Sequence, residues 1–322
     1  MRKFAAVVVM GAAVLAAGAA HAQDQFPAKP IRILVGFGPG SGTDVLARAI
    51  AKKMSENWRQ PVVVDNRPGA GGVVASGVLA PASPDGYTLG MVAIGHAFNA
   101  AFDSKLPYDT LKDFAGVTLV ADIPNVLTVP RNLRIKSMRE LIKLAKSKPG
   151  QLNYASAGIG SGMHINAELF NQAAGIKVVH VPFKGAGEGL IALIGGSVQF
   201  AFTSITGAVG LVKAQKVAAL AVSSKKRSRA LPDVPSMSEV GLPGFDFSVW
   251  YGLLAPAKTP KVAKDKLSKE VARILALPDV TELFSVQGAI PRPSTPEGFD
   301  EFIRREVARM ATMIKKAGIS TK

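Results

Sequence analysis

An apolar strand, a glycine-rich turn and the start of an amphipathic helix follow one another twice in this chain, about 120 residues apart. The first unit spans Ile31–Asn57, with Gly38-Pro39-Gly40-Ser41-Gly42-Thr43-Asp44 in its turn. The second spans Gln151–Ala174, with Ser156-Ala157-Gly158-Ile159-Gly160-Ser161-Gly162 in its turn. A helix N-terminus exposes amide N–H groups without intrahelical acceptors, at the positive end of the backbone dipole. Glycines beside it allow a ligand close to that backbone, so each unit suits a carboxylate or phosphate. One such turn is most simply an ordinary βα connection. Two, one per domain, point to an anion held between lobes.

The rest of the chain alternates strand-like and helix-like patterns, as in an α/β fold. Ile31–Val35, Val62–Val64 and Tyr87–Ala93 read as strands, and Val45, Leu46, Ala49, Ile50 and Met54 share one helix face. Asn66–Gly72 is a tight loop. Ser137-x-x-Glu140 is a capping box opening a helix through Ser147, which Lys148-Pro149-Gly150 terminates. Gln151–Ala155, Val178–Val181, Val198–Phe202 and Val217–Val222 read as strands of a second sheet. Thr295-Pro296 has the form of an N-cap with proline at the first helical position, opening a helix that carries Phe299, Phe302, Ile303, Val307 and Met310. With 322 residues, 48% of them apolar, the chain is too hydrophobic for intrinsic disorder and long enough for two domains.

The sequence excludes several chemistries. It has no cysteine and four histidines, so disulfides, thiolate catalysis, zinc ribbons and iron–sulfur clusters are out, and no metal or cofactor site is assigned. Gly36–Ser41 lacks the last glycine of a dinucleotide fingerprint, and there is no Gly-Lys-Ser/Thr P-loop. Without a Gly-x-Ser-x-Gly elbow, Ser41 and Ser161 read as donors rather than nucleophiles. His164 adjoins the second turn, where it either touches ligand or serves as a cap or packing group. His180 on a strand reads as a core or rim histidine. Lys184 is either an anion partner or a solvated loop lysine, and Lys225-Lys226-Arg227 reads as a solvated loop. Trp250-Tyr251 lie in an apolar strand where packing is the default over ligand stacking.

Met1-Arg2-Lys3, the apolar run Phe4–Ala20 and Ala20-His21-Ala22 form a basic n-region, an h-region and a signal-peptidase triplet. The length would also suit a membrane anchor, but the Ala/Gly content and the triplet favour cleavage after residue 22 and an exported, soluble chain. The leader holds Arg2 and Lys3 and no acidic residue, so +14 of the formal +16 remains afterwards. Export makes nucleic acid an unsuitable partner for that charge; a general attraction for anions remains.

A long ordered set of short motifs carries a resemblance. It includes Lys29-Pro30-Ile31-Arg32, Asp65–Gly72, Pro84-Asp85-Gly86-Tyr87-Thr88-Leu89, Leu106-Pro107-Tyr108-Asp109, Leu152–Ser156, His180–Gly185 and Leu231–Pro235. From Lys29 to Ile319 the chain resembles the Bug-type (TctC-like) extracytoplasmic solute receptors, the binding components of tripartite tricarboxylate transporters. The resemblance implies a two-lobed, type II periplasmic binding protein, each lobe a mixed sheet flanked by helices, closing over ligand like a hinged trap. Lobe 1 is expected to comprise residues 23–125 plus 251–322 and lobe 2 residues 126–250, with crossings near Ile123–Leu127 and Ser248–Leu254. The ligand would be a small carboxylate, a di- or tricarboxylate, aromatic acid or amino acid. The implied contacts are Phe37, Gly42, Thr43 and Asp44 on the first lobe and Ser156, Gly158, Ser161 and His164 on the second. Gly95, His96, Thr203 and Ser204 at loop positions, and Lys184, complete the set. The resemblance further implies a monomeric periplasmic receptor that is not an enzyme and serves a membrane transporter. Gly38 and Ser41 depart from the commoner Ala and Gly. Asp44 would repel an anion, and is expected to cap its own helix instead. The alternatives are an exported serine-type hydrolase using Ser41 or Ser161, and the same receptor serving a sensor kinase.

Overall fold

The protein is represented by a computed structural model that describes residues 26–103 and 105–319; the signal-peptide reading therefore lies outside the described residues. In chain order the elements are β1 (Ile31–Val35), α1 (Gly42–Trp58), β2 (Val62–Asn66), α2 (Val73–Leu79), β3 (Thr88–Ala93), α3 (Gly95–Phe102) and β4 (Phe114–Pro130). They continue with α4 (Met138–Ser147), β5 (Asn153–Ser156), α5 (Gly162–Ala174), β6 (Val179–Pro182), α6 (Ala186–Ile194), β7 (Phe200–Ser204), α7 (Ile205–Lys213) and β8 (Val217–Val222). The chain closes with β9 (Ser248–Pro256), α8 (Lys261–Leu275), α9 (Pro278–Val286), β10 (Ile290–Pro291) and α10 (Pro296–Ala317). Among the described residues no helix is long and apolar enough to cross a membrane.

Local sequence explains the element ends. Ser137 Oγ accepts from Glu140 N at 3.2 Å and the Glu140 carboxylate accepts from Lys136 N at 2.9 Å, a capping box that starts α4. Thr295 Oγ1 accepts from Gly298 N at 3.1 Å, with Pro296 opening α10. β1 lies between β2 and β3, parallel to both, and four of its five residues are buried, as its continuous apolar run requires.

The two halves of the molecule share one strand. β4 is 17 residues long and central in both halves. Its first part pairs antiparallel with β9 and β10, and its second part with β7 and β8. The strand order β2-β1-β3-β9-β4-β7-β5-β6 is therefore continuous where the sequence suggested a separate second sheet. Ser223, fully buried, fastens the crossing. Its Oγ accepts from Asn125 N at 2.8 Å and donates to Phe247 O at 2.7 Å, tying the end of β8 to both connecting strands.

Two main cores flank this crossing. One gathers Leu46, Phe98, Leu119, Leu254, Val271 and Phe299; the other gathers Leu127, Tyr154, Phe170, Phe200 and Met237. The α/β, two-lobed type II binding-protein architecture is thus realised with mixed half-sheets covered by helices. The halves also meet away from the crossing. A Cβ on Gly95 would sit 2.8 Å from Gly160 O, and Gln172 Nε2 donates to Lys316 O at 3.4 Å. The cleft between the halves is closed.

Candidate functional site

The two glycine-rich turns are near copies at atomic detail. Gly40 and Gly160 have φ of 79° and 77°, the left-handed region that glycine enters without strain. Ser41 and Ser161 follow as N-caps with φ, ψ of −67°, 157° and −66°, 155°. Ser41 Oγ accepts from Asp44 N and Ser161 Oγ from His164 N, both at 3.3 Å. The third helical residue then reaches back: Asp44 Oδ2 accepts from Gly40 N at 2.9 Å, and His164 Nδ1 from Gly160 N at 3.2 Å. The amides of Gly42 and Thr43, and of Gly162 and Met163, have no partner among the described residues.

Both helix starts press on the crossing strand β9. A Cβ on Gly42 would lie 2.9 Å from Tyr251 Oη, and one on Gly162 2.4 Å from Val249 Cγ2. Asn125 Nδ2 donates to Gly162 O at 3.2 Å, holding the second turn from β4. Between the turns lies a cavity of about 80 Å3. Ser204, the N-cap of α7 through Gly207 N, brings a third helix start to its wall, and Ala186 at the start of α6 a fourth. Among the described residues no charged side chain lines it. Any anion here would meet backbone dipoles, hydroxyls and an amide.

Of the residues named from sequence, Phe37, Gly42, Thr43, Ser161, Thr203 and Ser204 line this cavity. Asp44 is buried beneath it, held by Gly40 N, Asn66 Nδ2 at 2.9 Å and Arg48 Nε at 3.0 Å. Burial pushes its carboxyl up, but those hydrogen bonds outweigh burial and hold it below the usual carboxylate range. The cap of this helix is Ser41, and Asp44 instead ties the helix back to the turn ahead of that cap. Gly95 and His96 open helix α3 rather than occupying a loop. Gly95 packs on Gly160 O, and His96 is buried behind the cleft, 3.3 Å from Ser76 Oγ and stacked on Tyr108. Burial lowers its pKa to about 4. Ser156 and Gly158 sit behind the second turn, where Ser156 Oγ accepts from Gly158 N at 3.1 Å. Lys184 is exposed and does not reach the cavity; its backbone N–H meets Glu188.

The second turn rests on a column of rings. Phe200, Tyr154, His180, His164 and Phe98 touch in that order, with 4.3 Å between the two imidazole centroids. Burial, reinforced by His180, lowers His164 to about 3, and burial lowers His180 to about 4. Both are neutral at pH 7, and the bond from Gly160 N requires an unprotonated Nδ1 on His164. Ser156 Oγ and His180 Nε2 are 2.6 Å apart. Ser156 is wholly buried and, among the described residues, no carboxylate orients His180, so this pair lacks the arrangement a nucleophile needs. Ser41 and Ser161 are committed to capping.

Gly40, Ser41, Gly162 and Met163, within the two turns, also line the cavity, beyond the contacts expected from sequence. Ala93, Asn125, Ala157, Ala186, Gly207, Val249 and Tyr251 also line the cavity. Asn125, Val249 and Tyr251 carry a readable signal. They lie in the two crossing segments, and alternate residues of a strand face one side.

The model of the tripartite tricarboxylate transporter family receptor matches residues 46–319. Protein BugT of Bordetella pertussis is 34% identical over 324 aligned residues, covering 100% of this chain and 99% of its own. The solved structure of R. palustris Rpa4515 with adipate matches with a TM-score of 0.88 at 33% identity, covering 92% of this chain and 99% of that one. MatC (Rpa3494) from Rhodopseudomonas palustris with bound malate matches with a TM-score of 0.84 at 34% identity, covering 90% and 100%.

Proposed function

The chain belongs to the tripartite tricarboxylate transporter family of receptors, solute-binding proteins rather than enzymes, and from that premise we propose that it captures a small dicarboxylate in the closed cleft and delivers it to a membrane transporter. The proposed receptor is exported to the periplasm after loss of Met1–Ala22. Its lobes are residues 23–125 plus 251–322 and residues 126–250.

The observation that carries this reading is the convergence of two duplicate helix starts on one uncharged cavity. One carboxylate is held between the amides of Gly42 and Thr43 on one side and of Gly162 and Met163 on the other. Each helix end contributes about half a positive charge, in a cleft where little water competes. Ser204 and the Tyr251 hydroxyl, whose pKa burial raises, remain protonated donors for the rest of the ligand. The chains with adipate and malate support a dicarboxylate of that size. A ligand that bridges both turns binds the closed form better than the open one, so it draws the population towards closure.

A thermal-shift screen against mono-, di- and tricarboxylates and aromatic acids tests the reading. A ligand at 100 times its Kd adds about 2.7 kcal/mol of apparent stability. Stabilisation by dicarboxylates such as malate or adipate is expected. Stabilisation confined to uncharged solutes would overturn it.

A further inference from the structure

The crossing strands have a second side. Ile123, Asn125, Val249 and Tyr251 turn towards the carboxylate cleft. The alternate residues Asp122, Pro124, Ser248 and Trp250 turn the other way and floor a larger groove of about 730 Å3. One wall is the loop Ser224–Arg229, which follows β8; the other is formed by α9, β10 and α10. The walls come from opposite halves of the molecule and the floor is the hinge. Closing one side of a two-stranded hinge spreads the other, so this groove is widest when the front cleft is shut.

Its chemistry separates floor from rim. On the floor, Arg292 pairs with Asp122 at 3.0 Å and lies over the Phe302 ring. Glu306 takes Arg309 at 2.7 Å and the Trp250 indole N–H at 2.9 Å. These polar groups satisfy one another, which argues against a small polar ligand seated there. The rim is different. Arg227 pairs with Glu239, and the exposed Asp246 accepts from Lys225 N at 3.0 Å, but the side chains of Lys225, Lys226 and Arg229 are exposed and form no ion pair among the described residues, which leaves the rim net positive. Facing them, Ile290 is 60% exposed. A row of free cations opposite an exposed apolar side chain fits an acidic segment carrying an apolar anchor.

We propose that this rear groove is a docking site for an acidic, apolar-anchored segment of a partner protein, and that its width reports to that partner whether the front cleft is closed. The closure dependence rests on the carboxylate reading above; the docking surface does not. Lys225, Lys226 and Arg227 lie exposed on a loop, as the sequence reading has them.

A fluorescein-labelled peptide of alternating Glu and Leu serves as probe, read by anisotropy with and without saturating malate or adipate. Binding at least about fivefold tighter to the carboxylate-loaded protein is expected. The Lys225→Ala/Lys226→Ala/Arg229→Ala variant should lose about tenfold or more in peptide affinity with malate affinity unchanged. A control triple substitution, Lys143→Ala and Lys146→Ala on the exposed face of α4 with Lys148→Ala just past its end, should leave peptide binding intact. Equal losses in both triple variants would reduce the effect to net charge and overturn the proposal. So would equal affinity for loaded and empty protein. If neither acid binds, the carboxylate reading fails separately. The groove is then tested by joining Gln172→Cys and Lys316→Cys across the closed lobes with a short bis-methanethiosulfonate linker, reducible at both ends, which no native cysteine complicates. Unchanged peptide affinity on reducing that bridge would overturn closure sensing.

Discussion

The first and second glycine-rich turns share their backbone and differ in the residue that holds it. In both, the third helical side chain accepts the N–H of the left-handed glycine. Asp44 does this as an anion whose charge Arg48 offsets, while His164 does it as a neutral ring stacked on His180. A carboxylate acceptor beside an anion site is tolerable only with a compensating cation, and the first turn has one. The second turn needs none, because a neutral imidazole adds no charge. Equal geometry is therefore reached by two electrostatic routes, and the two should part company when pH or side-chain volume changes.

The largest expected effect removes the comparison altogether. Ser41 and Ser161 both line the cavity, so either Ser41→Trp or Ser161→Trp should fill it and weaken carboxylate binding by at least about a hundredfold. Calorimetric titration checks the loss, and circular dichroism should show both variants folded. If one indole were accommodated without loss, the ligand would not lie between the two turns.

Mild acid should separate the turns. His96, His164 and His180 ionise near pH 6.5 when unfolded and near 4, 3 and 4 when folded. Their folded pKa values are depressed, so their neutral burial is without penalty above about pH 6.5. As pH falls below that value, the unfolded chain takes up protons that the folded protein refuses. Stability should then fall by about 1.4 kcal/mol per pH unit for each of them. Asp44, also depressed but starting from 3.8, begins to lose its contribution only below that range. Denaturant titrations between pH 6.5 and 4.5 should show a shallower slope for His164→Gln and an unchanged one for Asp44→Asn. The reverse pattern would show that the first turn is the acid-sensitive one.

The smallest effect tests how alike the turns are. Ser41→Ala and Ser161→Ala each delete one N-cap acceptor of the same geometry, so each should cost about 1 kcal/mol, equal to within a few tenths. Urea midpoints measure the difference, and a gap above about 1 kcal/mol would mean that one cap is supported by its surroundings.

Local signals made much of this legible beforehand. The capping box at Ser137, the Thr295-Pro296 helix start and the strand runs around Ile31 and Val217 are encoded within a few residues, and the structure has them. The 17-residue strand β4 was not legible as one element. Its two parts belong to different half-sheets, and only tertiary pairing joins them. Nothing in the sequence around Gly95-His96 marks a cap, so it reads as a loop; α3 starts there with Gly95 packed on the facing turn. Within the site, the turns could be read because their chemistry is local. The ring column under His164 could not, because Phe98, Tyr154, His164, His180 and Phe200 come from five separate elements. In sequence Tyr251 has only a packing role, because periodicity alone does not say which side of a crossing strand carries ligand; in the structure it lines the cavity.

The central claim is that a carboxylate is held by the amides of both turns. Titration calorimetry of malate and adipate beside their dimethyl esters tests it most directly. The esters keep the carbon skeleton and lose the anionic oxygens. The account predicts that at least one acid binds and that its ester binds at least about a hundredfold more weakly. An ester that binds as tightly as its parent acid would contradict it.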